Sequence, residues 1–315
     1  MKTRTDDDRP LRSSARPVSS NCNIAWSLPY RPPYDWAAML GFLQARAIPG
    51  LETVAAHAYA RIIEIGGAVG WVRVTFAPKR DALCVTGRFP EPTAFSRIET
   101  RLRHLFDLDA NPLLIGSVLA KDAVLAPLVG AHPGLRLPGA WDGLEIGVRV
   151  ILGQQIAVRA ATVLSGKLTD ALGAKLSLGM GAPGLTHTFP AAHRLTVEAV
   201  ARIGLPRARA VAIAALASAA QSDPDLFDVC DNPNEAIARF CALPGIGPWT
   251  AQTIALRVLH DADAFPAADA ALQRISAVRA GCTHPAALLA RAERWRPWRA
   301  YAALHLWMSE TNPSS

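Results

Sequence analysis

Nine consecutive residues constrain this chain more than any other stretch: Leu243-Pro244-Gly245-Ile246-Gly247-Pro248-Trp249-Thr250-Ala251. Pro244 ends a preceding helix, because its ring blocks the backbone hydrogen-bond ladder. Gly245 and Gly247 permit a tight turn and let a partner approach the backbone with no Cβ in the way. Ile246 is placed to plug the gap between two helices. Pro248 opens the second helix where its missing N–H does no harm. The segment therefore dictates two helices packed as a hairpin over residues 234–260. Free N–H groups at the start of the second helix make a ready site for one phosphate group. An ordinary αα-corner also uses Gly and Pro; two glycines around an isoleucine, flanked by prolines, are more specific than that.

Charge points the same way. The 315 residues carry a formal net charge of +7 and a sequence pI near 9.5, a balance that favours polyanions, nucleic acid foremost. The length suggests two or three domains, and a chain that is 50% hydrophobic can bury a sizeable core. The five cysteines are scattered and never closely paired. This argues for a reducing compartment and against disulfides, zinc or an iron–sulfur cluster. The eight histidines show no metal-ligand spacing and read as surface or satisfied core residues. No stretch reaches the roughly 18 apolar residues of a membrane span. Residues 1–22 lack a signal peptide's apolar segment and read as a disordered tail. A cytoplasmic protein is expected.

The organisation divides near residue 93. Before it, Asp35 is a predicted N-cap for a helix over 36–47. Branched and alternating runs at 59–65, 70–76 and 83–86 predict an antiparallel meander, turning at Gly66-Gly67 and at Pro78-Lys79-Arg80-Asp81. The expected fold is thus a small α+β sheet domain (23–115) followed by a mostly helical body of two lobes. One lobe is 143–261 with the hairpin; the other joins 116–142 to 262–315.

The hairpin resembles the helix-hairpin-helix of DNA repair enzymes, and Gly245, Ile246, Gly247 and Thr250 are its candidate DNA contacts. Glycosylases of that superfamily add an aspartate some twenty residues further on. Asp269 stands 22 positions after Gly247. Asp269 is also a good N-cap for the helix that follows. The two roles need not compete, since the positive end of a helix dipole favours a carboxylate. Bifunctional members of the superfamily place a lysine where this chain has Trp249, and no lysine follows Lys175. The resemblance therefore implies a monofunctional enzyme without a Schiff-base step.

More specific motifs run from Leu28 to Glu310. They include Arg31-Pro32-Pro33-Tyr34-Asp35-Trp36, Pro133-Gly134-Leu135-Arg136-Leu137-Pro138-Gly139, Ile151-Leu152-Gly153-Gln154-Gln155, and Trp295-Arg296-Pro297-Trp298-Arg299 through Trp307. In this order around the hairpin they resemble the AlkA-type 3-methyladenine DNA glycosylase II family. That resemblance implies a sheet domain of the TATA-binding-protein type and two helical domains flanking a cleft. It implies double-stranded DNA as partner and cationic alkylated purines as substrates, with Asp269 as catalytic carboxylate. Phe42, Trp249 and Trp307 would line the pocket; Gln154 and Gln155 would touch DNA, Gln155 at the strand-wedging position. No metal or cofactor is implied beyond a monovalent cation that hairpin carbonyls can hold, and a monomer is expected.

Two departures bear on the substrate. Where the family has pocket tyrosines this chain has Thr253 and Ala270, and where it has a wedging leucine this chain has Gln155. Glycosylases for oxidised, deaminated or mismatched bases, and non-catalytic hairpin modules that only hold DNA, remain alternative readings; Asp269 argues against the last. Trp295 and Trp298, interleaved with Arg294, Arg296 and Arg299, read either as a nucleic-acid patch or as packing of the C-terminal helix.

Overall fold

The computed structural model describes residues 23–177, 182–228 and 232–311; the expected tail, Cys22 and Cys230 lie outside them. Five antiparallel strands open the chain: β1 (Asn23–Pro29), β2 (Glu52–Ala55), β3 (Ala58–Ile65), β4 (Ala68–Ala77) and β5 (Ala82–Arg88), in the order β1-β5-β4-β3-β2. Both predicted turns are present. Gly66 and Gly67 adopt positive φ between β3 and β4, and Asp81 takes φ +45° after a 3-10 turn over Pro78–Arg80. The sheet gains two strands over the predicted meander. β1 buries Ile24, Trp26 and Leu28 and turns the residues between them outward, the two-residue period of a half-buried strand. β2 is only four residues long, too short to show that period.

Helices α1 (Trp36–Gln44) and α2 (Phe95–Leu105) cover one face of the sheet. Met39, Leu40 and Leu43 from α1, with Ile98 and Leu102 from α2, pack against Ile63, Val72, Val74 and Val85. Asp35 caps α1 as predicted, its side chain accepting from the Ala38 N–H. Ala60 and Ile62 on the opposite face meet Ile48, Leu51 and Leu185, so β3 is buried on both sides.

The remainder is helical: α3 (Pro112–Leu119), α4 (Leu125–Ala131), α5 (Gly143–Leu152), α6 (Val158–Leu172), α7 (Val197–Ala201), α8 (Arg207–Ser222), α9 (Pro233–Cys241), α10 (Pro248–Arg257), α11 (Ala270–Ala280), α12 (Pro285–Ala292) and α13 (Arg299–Thr311). The helices α3, α4 and α12 are only seven or eight residues long, too short to repeat a helical period more than about twice. One core runs through this body, from Ile115 to Leu306.

Sheet and body are locked by buried charge. Arg61 on β3 donates to Glu145 on α5 at 2.6 Å. Arg149 on α5 reaches Glu52 at 2.9 Å and Glu145 at 3.0 Å, and Tyr59 donates to Glu52 at 2.7 Å. Burial alone would push the Glu52 carboxyl up, but Arg149 and then Arg61 hold it below the usual carboxylate range. Arg136 within the 133–139 motif is also buried, donating to the carbonyls of Asp107, Ala110 and Pro33 at 3.0–3.1 Å and to that of Arg31. That motif is a structural clasp.

Candidate active site

The hairpin forms between α9 and α10. Gly245 takes φ +76°, and a Cβ there would meet Ala212 Cβ at 2.7 Å. Gly247 caps α10 in extended backbone, and a Cβ there would enter open space. The fold itself thus requires Gly245, while the exposure of Gly247 leaves room for an outside partner. Ile246 is buried, the plug its position predicted. Thr250 is buried as well, its hydroxyl accepting from Gln154 Nε2 at 3.0 Å. What Ile246 and Thr250 can offer DNA is therefore backbone, and the first N–H groups of α10 lack helical acceptors. Gln154 also donates to the Gly245 carbonyl at 3.0 Å, so this residue ties the α5–α6 turn to the hairpin. Gln155 is exposed beside it, with φ +59°.

Asp269 is the N-cap of α11, and its two oxygens have different surroundings. Oδ1 accepts from the Ala271 and Leu272 N–H groups at 3.1 and 3.0 Å and from Trp307 Nε1 at 3.0 Å. Oδ2 accepts from Trp249 Nε1 at 2.9 Å. Three sequence-predicted residues therefore converge: Asp269 from the head of α11, Trp249 from the head of α10 and Trp307 from α13. The sequence reading missed that both indoles act as donors to the carboxylate as well as aromatic surfaces. Oδ1 does the capping, and Oδ2, which accepts from one indole only, keeps a lone pair free.

The segment leading to Asp269 is braced. Gln252 accepts from the Phe265 N–H at 2.9 Å. Arg299 binds the Asp263 carboxylate and carbonyl at 2.8 and 3.0 Å, and Arg296 pairs with Asp263 and Glu293. Trp295 is buried edge-on against Phe265 and donates to Asp122 at 3.0 Å. Trp298 packs edge-on against Tyr301. Of the two readings of this arginine–tryptophan stretch, packing is the one the contacts support.

Phe42 sits at the other end of α10. Its ring carries the guanidinium of Arg46 at 3.7 Å from the centroid and that of Arg257 at 4.7 Å. Neither arginine forms an ion pair among the described residues. Burial, then the like charges of Arg46 and Arg149, push Arg257 down to about 9; burial, then Arg149, pushes Arg46 down to about 10. Sequence reasoning did not single out either arginine. The signal lies in spacing: Arg257 is eight residues past Trp249, on the same helical face. Among the described residues no group of three or more His, Cys, Asp or Glu is placed to hold a metal ion.

The chain is similar to known proteins over most of its length. Residues 25–142 match the AlkA N-terminal domain family. DNA-3-methyladenine glycosylase 2 of Escherichia coli is 36% identical over 289 residues, 90% of this chain and 97% of that protein. A Mycobacterium tuberculosis protein named "Probable bifunctional transcriptional activator/DNA repair enzyme AlkA" is 37% identical over 96% of this chain; the chain spans 61% of that relative's length. Among solved structures, 3-methyladenine DNA glycosylase from Archaeoglobus fulgidus superposes with a TM-score of 0.80 at 21% identity, covering 92% of this chain and all of that one. Clostridium acetobutylicum 8-oxoguanine glycosylase/lyase does so with a TM-score of 0.71 at 16% identity, over 98% and 99%. The two structures share the fold alone, a small sheet domain followed by a helical body. With the E. coli relative matched over nearly its whole length, this chain belongs to the AlkA-type 3-methyladenine DNA glycosylase family.

Proposed function

We propose that this chain is a monofunctional DNA glycosylase of base excision repair that hydrolyses the N-glycosidic bond of alkylated purines, 3-methyladenine and 7-methylguanine in type, with Asp269 as the catalytic carboxylate. The observation that carries this reading is the Asp269 carboxylate itself. It is held by two backbone and two indole N–H groups, the indoles belonging to half-exposed tryptophans and one of them standing at the head of the hairpin's second helix.

A glycosidic bond inside a duplex cannot be reached, so the damaged nucleotide must leave the stack. The hairpin N–H groups hold a backbone phosphate while Gln155 fills the vacated space. Wedges are usually apolar; Gln155 substitutes hydrogen bonding to the orphaned partner base. Bond cleavage leaves positive charge on the sugar, as in glycoside hydrolysis. Asp269 Oδ2 stabilises that charge and orients the attacking water. A base that is already cationic departs as a neutral molecule, so no general acid is required. Trp249 stands where a lyase would carry its amine, and strand cleavage is not part of the reaction. No cofactor enters the chemistry, and every group named here comes from one chain, so a monomer suffices. The substrate places the protein with the cell's DNA, in the cytoplasm.

The test is base release from methylated duplex DNA, resolved by chromatography. The wild type should release 3-methyladenine and 7-methylguanine and leave uncleaved abasic strands. Asp269→Asn should still bind and lose nearly all release, and Gln155→Ala should slow release and reduce DNA bending. Binding without release by the wild type would leave only a DNA-holding module.

A further inference from the structure

The half-exposed face of α10 that begins at Trp249 continues past Thr253. Trp249, Thr253 and Arg257 form the half-exposed stripe of α10, and Ala38, Phe42 and Arg46 the matching stripe on and just after α1. The two stripes meet where Arg257 lies over the Phe42 ring. At 1.5 Å per residue, Trp249 and Arg257 are about 12 Å apart along the helix. That length matches a sugar carbon and a purine in line, with the Asp269 carboxylate at the Trp249 end and the Arg257 guanidinium at the other. Thr253, between them, is a small side chain whose hydroxyl is turned back onto the Trp249 carbonyl at 2.7 Å.

Arg257 has donor capacity to spare. Nε donates to the Pro138 carbonyl at 2.6 Å and Nη2 more weakly to that of Gly139 at 3.4 Å. Among the described residues Nη1 has no acceptor and no carboxylate pairs with the side chain. The two nearest glutamates are already engaged by Arg61 and Arg149. A guanidinium donates and never accepts. A purine whose six-membered ring points at Arg257 is therefore favoured if it shows a carbonyl oxygen there and disfavoured if it shows an amino group. 7-Methylguanine has the carbonyl and 3-methyladenine the amino group. Both rings are cationic, so repulsion by the arginines is common to both and cancels in a comparison.

Resting on the reading that the chain releases alkylated purines, we propose that Arg257 is a specificity-determining residue. It donates from Nη1 to the carbonyl oxygen of the flipped base and favours 7-methylguanine over 3-methyladenine. Arg46, stacked on Phe42, helps to hold the shared ring in place.

One duplex methylated to carry both lesions provides the test, with single-turnover release of each base followed in the same tube. Arg257→Gln should lower the ratio of 7-methylguanine to 3-methyladenine rate constants about tenfold or more, the effect of one lost charge-assisted hydrogen bond. Arg257→Lys, which keeps the charge, should give an intermediate ratio. An unchanged ratio in both variants, or equal loss of both rates, makes Arg257 a structural clasp and overturns the inference while the glycosylase reading stands. Release of neither base by the wild type overturns both. A second measurement needs no variant: free 7-methylguanine should inhibit the wild type at lower concentration than free 3-methyladenine, and equal inhibition sinks the proposal.

Discussion

Asp269 divides two tasks between two oxygens. Oδ1 takes both backbone N–H groups of a capped helix and one indole N–H, whereas Oδ2 takes one indole N–H. Donors fixed in place before reaction need no reorganisation when charge develops. A tryptophan in this site is therefore more than a stacking surface, and the two contributions can be separated. Trp307→Phe keeps an aromatic ring and removes the N–H. We expect the single-turnover rate of base release to fall about tenfold or more, about 1.5 kcal/mol for a hydrogen bond to a charged group, with little change in DNA affinity. A rate equal to wild type would return Trp307 to a purely stacking role.

The hairpin shows why two glycines one residue apart serve different ends. Gly245 has positive φ and a wall, Ala212, against its missing side chain. Gly247 has ordinary extended backbone and open space around it. Gly245→Ala should therefore destabilise the protein by about 1–3 kcal/mol, the cost of a disfavoured backbone plus a clash, read as a drop in melting temperature. Gly247→Ala should leave the melting temperature nearly unchanged and weaken DNA binding. Its residual affinity should depend less steeply on salt if a phosphate contact is lost. The reverse pattern would mean that the hairpin does not approach a ligand through Gly247.

At the scale of the molecule, sheet, hairpin lobe and C-terminal helices are held together by buried polar groups as well as by apolar cores. Two of these are histidines. Burial, then the nearby charge of His132, pushes His305 down to about 4, and the Leu128 backbone hydrogen bond and then Asp35 oppose this only in part. His305 hydrogen-bonds the Leu128 backbone while its Nδ1 has no hydrogen-bond partner among the described residues, so the core histidine is satisfied on one nitrogen only. Burial, then His260, likewise pushes His104 down to about 4, with Arg257 adding to the effect. A histidine with a lowered folded-state pKa is bound by a proton in the unfolded chain first. Its contribution is complete above pH ~6.5 and is lost as pH falls towards 4. For His305 alone the loss at pH 5 is about 2 kcal/mol. The melting temperature should be level near pH 7.5 and decline towards pH 5, and His305→Gln should flatten that decline. An identical slope in the variant would place the acid sensitivity elsewhere.

The sequence by itself determined the hairpin, the helix caps at Asp35 and Asp269, the glycine and Asp81 turns of the sheet, and the helical character of the chain after residue 93. Each of these depends on local chemistry: a fixed proline φ, a capping oxygen, a missing Cβ, a repeat of 3.6 or 2 residues. Asp269 and its neighbour Trp249 were legible because their motifs are short in sequence. Tertiary structure alone decided what those groups touch. Trp307 is 38 residues from the carboxylate it supports, and Phe42 receives Arg257 from a helix more than two hundred residues away. Likewise, Arg296 and Arg299, interleaved with Trp295 and Trp298, resemble a nucleic-acid patch until Asp263 is seen to face them. Side-chain partners far apart in sequence leave no period and no spacing behind, and so the charge and polarity of the pocket became visible only once the chain was folded.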